Sequence, residues 1–123
     1  MILVDTSIWI DHLRSGNDML ASLLGNGLVL IHPFIVGELA CGSLPNRNAF
    51  LKDLQSLPAA PCSTNEEALH VLQRHELFGI GIGWVDIHLI ASALLSGSQL
   101  FTLDERLARA ATKANAGLYS RLQ

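Results

Sequence analysis

Four acidic side chains in this 123-residue chain follow one positional rule: Asp5, Glu38, Asp86 and Asp104. In "ILVDTS" an apolar run of strand-forming residues stops at Asp5, with the hydroxyls Thr6 and Ser7 directly behind it. Glu38 stands three and four residues after Ile35 and Phe34 and three before Cys41, so helical spacing sets it on an apolar side, pointing inward. Asp86 opens a helix with the stripe Ile87, Ile90, Ala91, Leu94 and Leu95, and shares an edge with Ile90. Asp104 comes shortly after the run "LFT", three and four positions before Leu107 and Ala108. The other seven Asp and Glu fall in turns, first turns or polar faces. An Asp after a strand is also a favoured helix N-cap, and for Asp5 taken alone that reading stands beside the chemical one.

Carboxylates on apolar faces are costly to bury unless something positive meets them. Only Arg106 and Arg109 lie near a strand end, and the two lysines, Lys52 and Lys113, do not follow strands. A divalent cation is the economical partner. Mg²⁺ takes oxygen ligands and keeps several waters, which suits converging Asp and Glu, whereas zinc favours His or Cys. The five histidines show no HxxxH pair and read as packing or surface residues. With no activated Ser, Cys or Lys nucleophile in view, the chemistry that fits is metal-assisted hydrolysis of a phosphodiester. Thr6, Ser7 and Thr102 fit as hydroxyls that orient the acids, or equally as turn and cap residues.

The elements that must position these acids alternate along the chain. "ILV" at 2–4, "LVLI" at 28–31 and "QLFT" at 99–102 read as strands, and "GLYSR" at 117–121 as a last short one. Helices are expected over 7–14, from Pro33 through "FIVGELACG", over 46–57 and 66–76, from Asp86 through "DIHLIASALLSG", and through "LDERLARAATKA". "STNEE" announces one of them with a capping box. Strands alternating with helices imply an α/β fold with a parallel sheet covered on both faces, and no linker or repeat divides residues 1–123, so a single domain is expected. In such sheets ligands bind outside the carboxyl ends of the strands, where Asp5 falls.

Composition narrows the class. Half of the residues are hydrophobic and 15% are charged, below the roughly 25% usual for soluble domains, which suggests a covered partner face. The segment "LARAATKANAGL" suggests where a dimer face and a second partner groove would lie. The longest uncharged runs fall short of the roughly 18 residues of a membrane span, and the N-terminus shows no signal peptide, so a cytoplasmic protein is expected. Cys41 and Cys62 are far apart and read as buried reduced thiols. The formal charge of −3 looks wrong for an RNA enzyme. Without the four acids, however, eight Lys and Arg face seven Asp and Glu, so the acidity is concentrated where the metal would go. Arg14, Arg47, Lys52, Arg74 and Arg106 are candidate phosphate contacts, each also readable as a solvated surface charge. Trp84, just before Asp86 in a Gly-rich loop, reads as a core anchor, with stacking on a splayed base as the alternative. "GIGIG" fails as a dinucleotide fingerprint, since Trp84 replaces the third glycine and the run follows a helix; its glycines suit a tight turn that delivers Asp86.

Taken in order, "VDTS", "VGELACG" on a helix, "GWVDIHLIASAL" and "FTLDERLARAA" resemble the PIN-domain ribonucleases, specifically the VapC-type toxins of bacterial toxin–antitoxin pairs. The resemblance runs the length of the chain. It implies a flavodoxin-like three-layer α/β/α sandwich and an acidic cluster of Asp5, Glu38, Asp86 and Asp104 binding Mg²⁺ or Mn²⁺, with Asp5 and Asp86 the least replaceable ligands. It further implies an RNA substrate, a homodimer and inhibition by a VapB-type antitoxin whose C-terminal segment covers the active-site groove. Two other readings stay open: a catalytically silent PIN-fold binding protein, and a phospho-accepting receiver-like switch. The switch lacks the lysine it would need after a late strand.

Overall fold

The computed structural model describes residues 1–120. Strand β1 (Ile2–Val4) leads through Asp5 into helix α1 (Thr6–Ser15) and α2 (Asp18–Gly25); β2 (Val29–Leu30) leads into α3 (Pro33–Ala40). Helices α4 (Arg47–Gln55), α5 (Asn65–Arg74) and α6 (Trp84–Ser96) follow, then β3 (Gln99–Phe101) and α7 (Glu105–Lys113). All pairings in the sheet are parallel and its order is β2-β1-β3, with Leu3 opposite Leu30 on one side and Leu100 on the other. Single parallel bridges, Ile31 to Ala59 and Leu100 to Leu118, extend it on both edges. This is the expected α/β sandwich, and its central strand is β1. Consecutive strands β2 and β3 pair on opposite sides of β1, so the order reverses there and the crevice of a doubly wound sheet opens at the end of β1, next to Asp5.

Burial explains why the strands are so short and still hold. Leu3, Val4 and Leu100 are fully enclosed, and α6 is buried along every residue from Ile87 to Ala93. That helix is a core element and not an amphipathic surface helix, which is why Leu95, expected on its buried stripe, is instead half exposed. On α7 the stripe Leu107, Ala110 and Ala111, continued by Ala114 and Ala116, is buried within the chain. The segment expected to offer a dimer face is therefore spent on the chain's own core.

Local signals set most element ends. Thr64 and Glu67 form the reciprocal capping box that starts α5, and Pro33 occupies the first turn of α3 behind His32, whose Nδ1 accepts the Phe34 N–H at 3.0 Å. Helix α2 has no counterpart in the expected elements; Asn17 caps it by accepting the Leu20 N–H at 2.9 Å, and only Leu20 and Leu23 are buried. The last expected strand shrinks to the single bridge at Leu118, and its Arg121 lies outside the described residues.

Candidate active site

Asp5 ends β1 and caps α1, so both readings of "ILVDTS" describe it. Its buried carboxylate takes every hydrogen bond on one oxygen: Oδ2 accepts from the Ser7 hydroxyl at 2.8 Å, from the Thr102 hydroxyl at 2.8 Å and, more loosely, from the Ser7 N–H at 3.4 Å. Among the described residues no hydrogen bond falls on Oδ1. The same hydroxyls tie the two strand ends together, because the Leu103 N–H donates to Ser7 Oγ at 2.9 Å and the Asp104 N–H to Thr102 Oγ1 at 3.0 Å. Thr6 turns the other way, and its hydroxyl donates to Glu38 Oε1 at 2.7 Å. Each hydroxyl singled out in the sequence is thus bonded to an acid of the set.

The remaining acids sit differently from what helical spacing suggests. Glu38 is exposed, because the side of α3 it shares with Phe34 and Cys41 faces the mouth of the site while Ile35 and Leu39 face the core. Asp104 is also exposed; it is the extended N-cap of α7, outside the helix, and its Oδ1 accepts the Arg106 and Leu107 N–H groups. Helical spacing cannot orient a residue that is not in the helix. Asp86 is partly buried in the first turn of α6, with Oδ2 accepting the Gly83 N–H at 3.2 Å. The loop before it turns through Gly79 and Gly81, both with positive φ, as the "GIGIG" run requires.

Electrostatics joins the four. Burial pushes the Asp86 carboxyl above the usual carboxylate range; the Gly83 N–H opposes this, and the negative charges of Asp5, Asp104 and Glu38 add to it. Among the described residues no Lys or Arg forms an ion pair with any of the four. The side chains do not converge on one point: among the described residues no three His, Cys, Asp or Glu form a closed ligand set. A hard cation that retains waters fits this loose ring of oxygens, since Mg²⁺ takes only one or two direct carboxylates. Zinc would need a tighter set with His or Cys, and both thiols are free and exposed, not buried as the sequence suggested.

A family model for the PIN domain matches residues 2–113 of this chain. The chain belongs to the PIN-domain family. Ribonuclease VapC32 of Mycobacterium tuberculosis is 42% identical over 119 residues, covering 96% of each chain. Among solved structures, FitAcB from Neisseria gonorrhoeae superposes with a TM-score of 0.70 at 18% identity, over 98% of this chain and 97% of the other. PAE2754 from Pyrobaculum aerophilum superposes at 0.62 and 18% identity, over 95% and 81%. These likenesses agree with the flavodoxin-like sandwich, and the PIN-domain match spans all four acids.

Of the basic residues, Arg106 follows Asp104 by two, and its side chain crosses Gly81 so closely that a Cβ there would stand 3.3 Å from its Cδ and Nη1. Arg14 lines a groove of about 300 Å³ that opens beside Glu38. Arg47 is spent on α3, donating to the Ala40 and Gly42 carbonyls at 2.5 and 3.2 Å. Among the described residues no hydrogen bond or ion pair brings Arg74 or Lys52 to the acids. Trp84 is no core anchor: it is 42% exposed and rests edge-to-face on the buried ring of His88. Of the histidines read as packing or surface residues, His32 and His88 are packing residues of the core. Burial, and for His32 also its neighbour His88, holds both below the usual imidazole range, so they are neutral at physiological pH. Among the described residues no helix is long and apolar enough to cross a membrane.

Proposed function

We propose that this PIN domain is a metal-dependent endoribonuclease, the toxin of a type II toxin–antitoxin pair, acting on RNA in the cytoplasm. The observation that carries the reading is the set of hydroxyl and backbone bonds that orient Asp5, Glu38 and Asp86, with no Lys or Arg paired to any of the four acids among the described residues. Kinship with a protein named as a ribonuclease, at 42% identity over nearly the whole chain, supports the same reading. Asp5, Glu38, Asp86 and Asp104 would hold Mg²⁺ or Mn²⁺. When bound, the metal lowers the pKa of water and offsets charge on the phosphate oxygens. The chain's own work is orientation: Ser7 and Thr102 hold Asp5 by Oδ2 so that Oδ1 stays available, Thr6 holds Glu38, and Gly83 holds Asp86. Arg106, beside the acids, would meet a backbone phosphate without reading sequence.

The proposed partner is a VapB-type antitoxin. Its support is the groove beside Glu38, whose walls are Ile10, Leu13, Leu39, Leu44 and Pro45 with Arg14 at one side, suited to a chain segment with apolar and acidic side chains. A homodimer is also proposed, on the exposed Leu69 and Leu95 and the apolar groove of α5 and α6 that Leu95 lines. Light scattering that finds only monomer at micromolar concentration would remove the dimer. The enzyme itself is tested by incubating antitoxin-free protein with total RNA, with Mg²⁺ or with chelator, and mapping new ends by sequencing. Discrete ends that need metal and vanish in Asp86→Asn support the nuclease; intact RNA from folded, metal-supplied protein rejects it.

A further inference from the structure

Two aromatic side chains stand at the mouth of the site on the helices that carry its acids. Phe34 precedes Glu38 by one helical turn on α3, and Trp84 precedes Asp86 by two residues on α6. They are 39% and 42% exposed, an unusual expense for large rings when the same helices bury Ile35, Leu39 and every residue from Ile87 to Ala93. Both lean on one pedestal. His88 meets Trp84 edge-to-face with centroids 4.6 Å apart and Phe34 at 5.0 Å, and it is itself 3% exposed with Nδ1 held 3.1 Å from Ser63 Oγ. Phe34 is steadied on its other side by the buried ring of His32, 5.1 Å away. The rings are thus braced from below by fixed, buried neighbours and wet above.

We propose that Trp84 and Phe34 form a stacking platform for an unpaired RNA base adjoining the phosphate to be cut, and so help choose where the chain cleaves. This rests on the ribonuclease reading above. A base is the occupant that the surroundings favour, because Phe34 lies one helical turn from Glu38 and Trp84 two residues from Asp86, and a nucleotide delivering its phosphate to those acids carries its base within one nucleotide's reach of them. Stacking on an aromatic ring is tolerant of base identity and needs no hydrogen-bond partner, and of the two rings only the Trp84 indole N–H can donate one. It also requires a base free of its own stack, which selects loops and single strands over duplex.

Trp9 is 3% exposed, so Trp84 is the tryptophan that a ligand at the surface can reach. In the Asp86→Asn background, which binds RNA without consuming it, a single-stranded RNA 12-mer is expected to change tryptophan fluorescence; the change is lost in Trp84→Phe and reduced with an abasic 12-mer. In the otherwise native chain, Trp84→Ala is expected to lower kcat/KM about tenfold on an RNA with a mapped cleavage site, the scale of one lost base–aromatic contact. Trp84→Phe should stay within about threefold, since a ring remains, and Trp84→Ala should cost nothing further on an RNA abasic at the stacked position. RNA that binds by anisotropy without altering Trp84 fluorescence, together with Trp84→Ala cleaving as well as the native chain, overturns the platform while leaving the nuclease intact. A Trp84-dependent signal from a chain that cuts no RNA supports the platform and rejects the nuclease. Fluorescence that answers only to a peptide partner assigns the rings to that partner and overturns the proposal.

Discussion

Asp5 and Asp104 share a local grammar and differ in everything around it. Each follows a buried strand, each adopts extended backbone, and each caps the next helix through its carboxylate. Asp104 does what a cap needs and no more: it is exposed, and one oxygen accepts two N–H groups of its own helix. Asp5 is buried, accepts only a long bond from the backbone of its own helix, and receives its short bonds from two hydroxyls, Ser7 of that helix and Thr102 nearly a hundred residues away. Helix capping alone does not call for that second arrangement. A carboxylate pinned by one oxygen from two strand ends is built to present the other.

The comparison is broken most directly by substitutions that keep the cap and remove the charge. Asp5→Ser leaves a side chain that still caps α1, so the fold should survive with a loss of about 1 kcal/mol or less, while RNA cleavage falls at least about a hundredfold. The same exchange at Asp104 should spare the fold equally and lower cleavage about tenfold or less, as befits an acid at the rim of the metal site. Circular dichroism melts and rates on one RNA check both, and equal activity losses at the two positions would erase the distinction. Thr102→Val, nearly isosteric, removes one of the two hydroxyls that hold Oδ2 and should cost about ten- to a hundredfold in rate with the melt little changed. Smaller again, Arg106→Gln should weaken binding of all single-stranded RNAs alike and reduce the slope of log affinity against log salt by about one.

Asp86 sharpens the contrast through pH. Its folded-state pKa is raised, so the folded metal-free chain binds the proton more tightly than the unfolded chain does. Stability from this group therefore falls as pH rises from the ordinary carboxylate value through the raised one, and is flat beyond. Asp86→Asn should melt higher than the native chain at neutral pH without metal, and the gap should close as the pH drops into that window. A gap of opposite sign would mean that burial and the neighbouring acids do not raise this carboxyl.

Much of this architecture is legible in the sequence because buried runs and strand-to-helix punctuation are local. "ILV" before Asp5, Pro33 at the start of α3 and the Thr64–Glu67 box each carry their own signal. Helix α2 carries little local signal because "DMLASLLG" buries only two of its residues. Orientation was harder to read than placement. Glu38 and Asp104 were expected to face inward from helical spacing, yet one shares its face with the open mouth of the site and the other lies outside its helix. Trp84 and His88 exchange the roles their types suggest, the indole exposed and the imidazole buried, because α6 is enclosed along its middle and emerges at its ends. Such assignments depend on which neighbours cover a helix, and that information lies in contacts far apart in the chain.

The claim that four separate acids make one metal site is tested most directly by Mn²⁺ titration followed by electron paramagnetic resonance, in the native chain and in Asp86→Asn. The native chain should deplete free Mn²⁺ with a saturable isotherm that Mg²⁺ displaces, and Asp86→Asn should bind at least about tenfold more weakly. Indistinguishable isotherms for the two chains, or no saturable binding by the native chain, would contradict it.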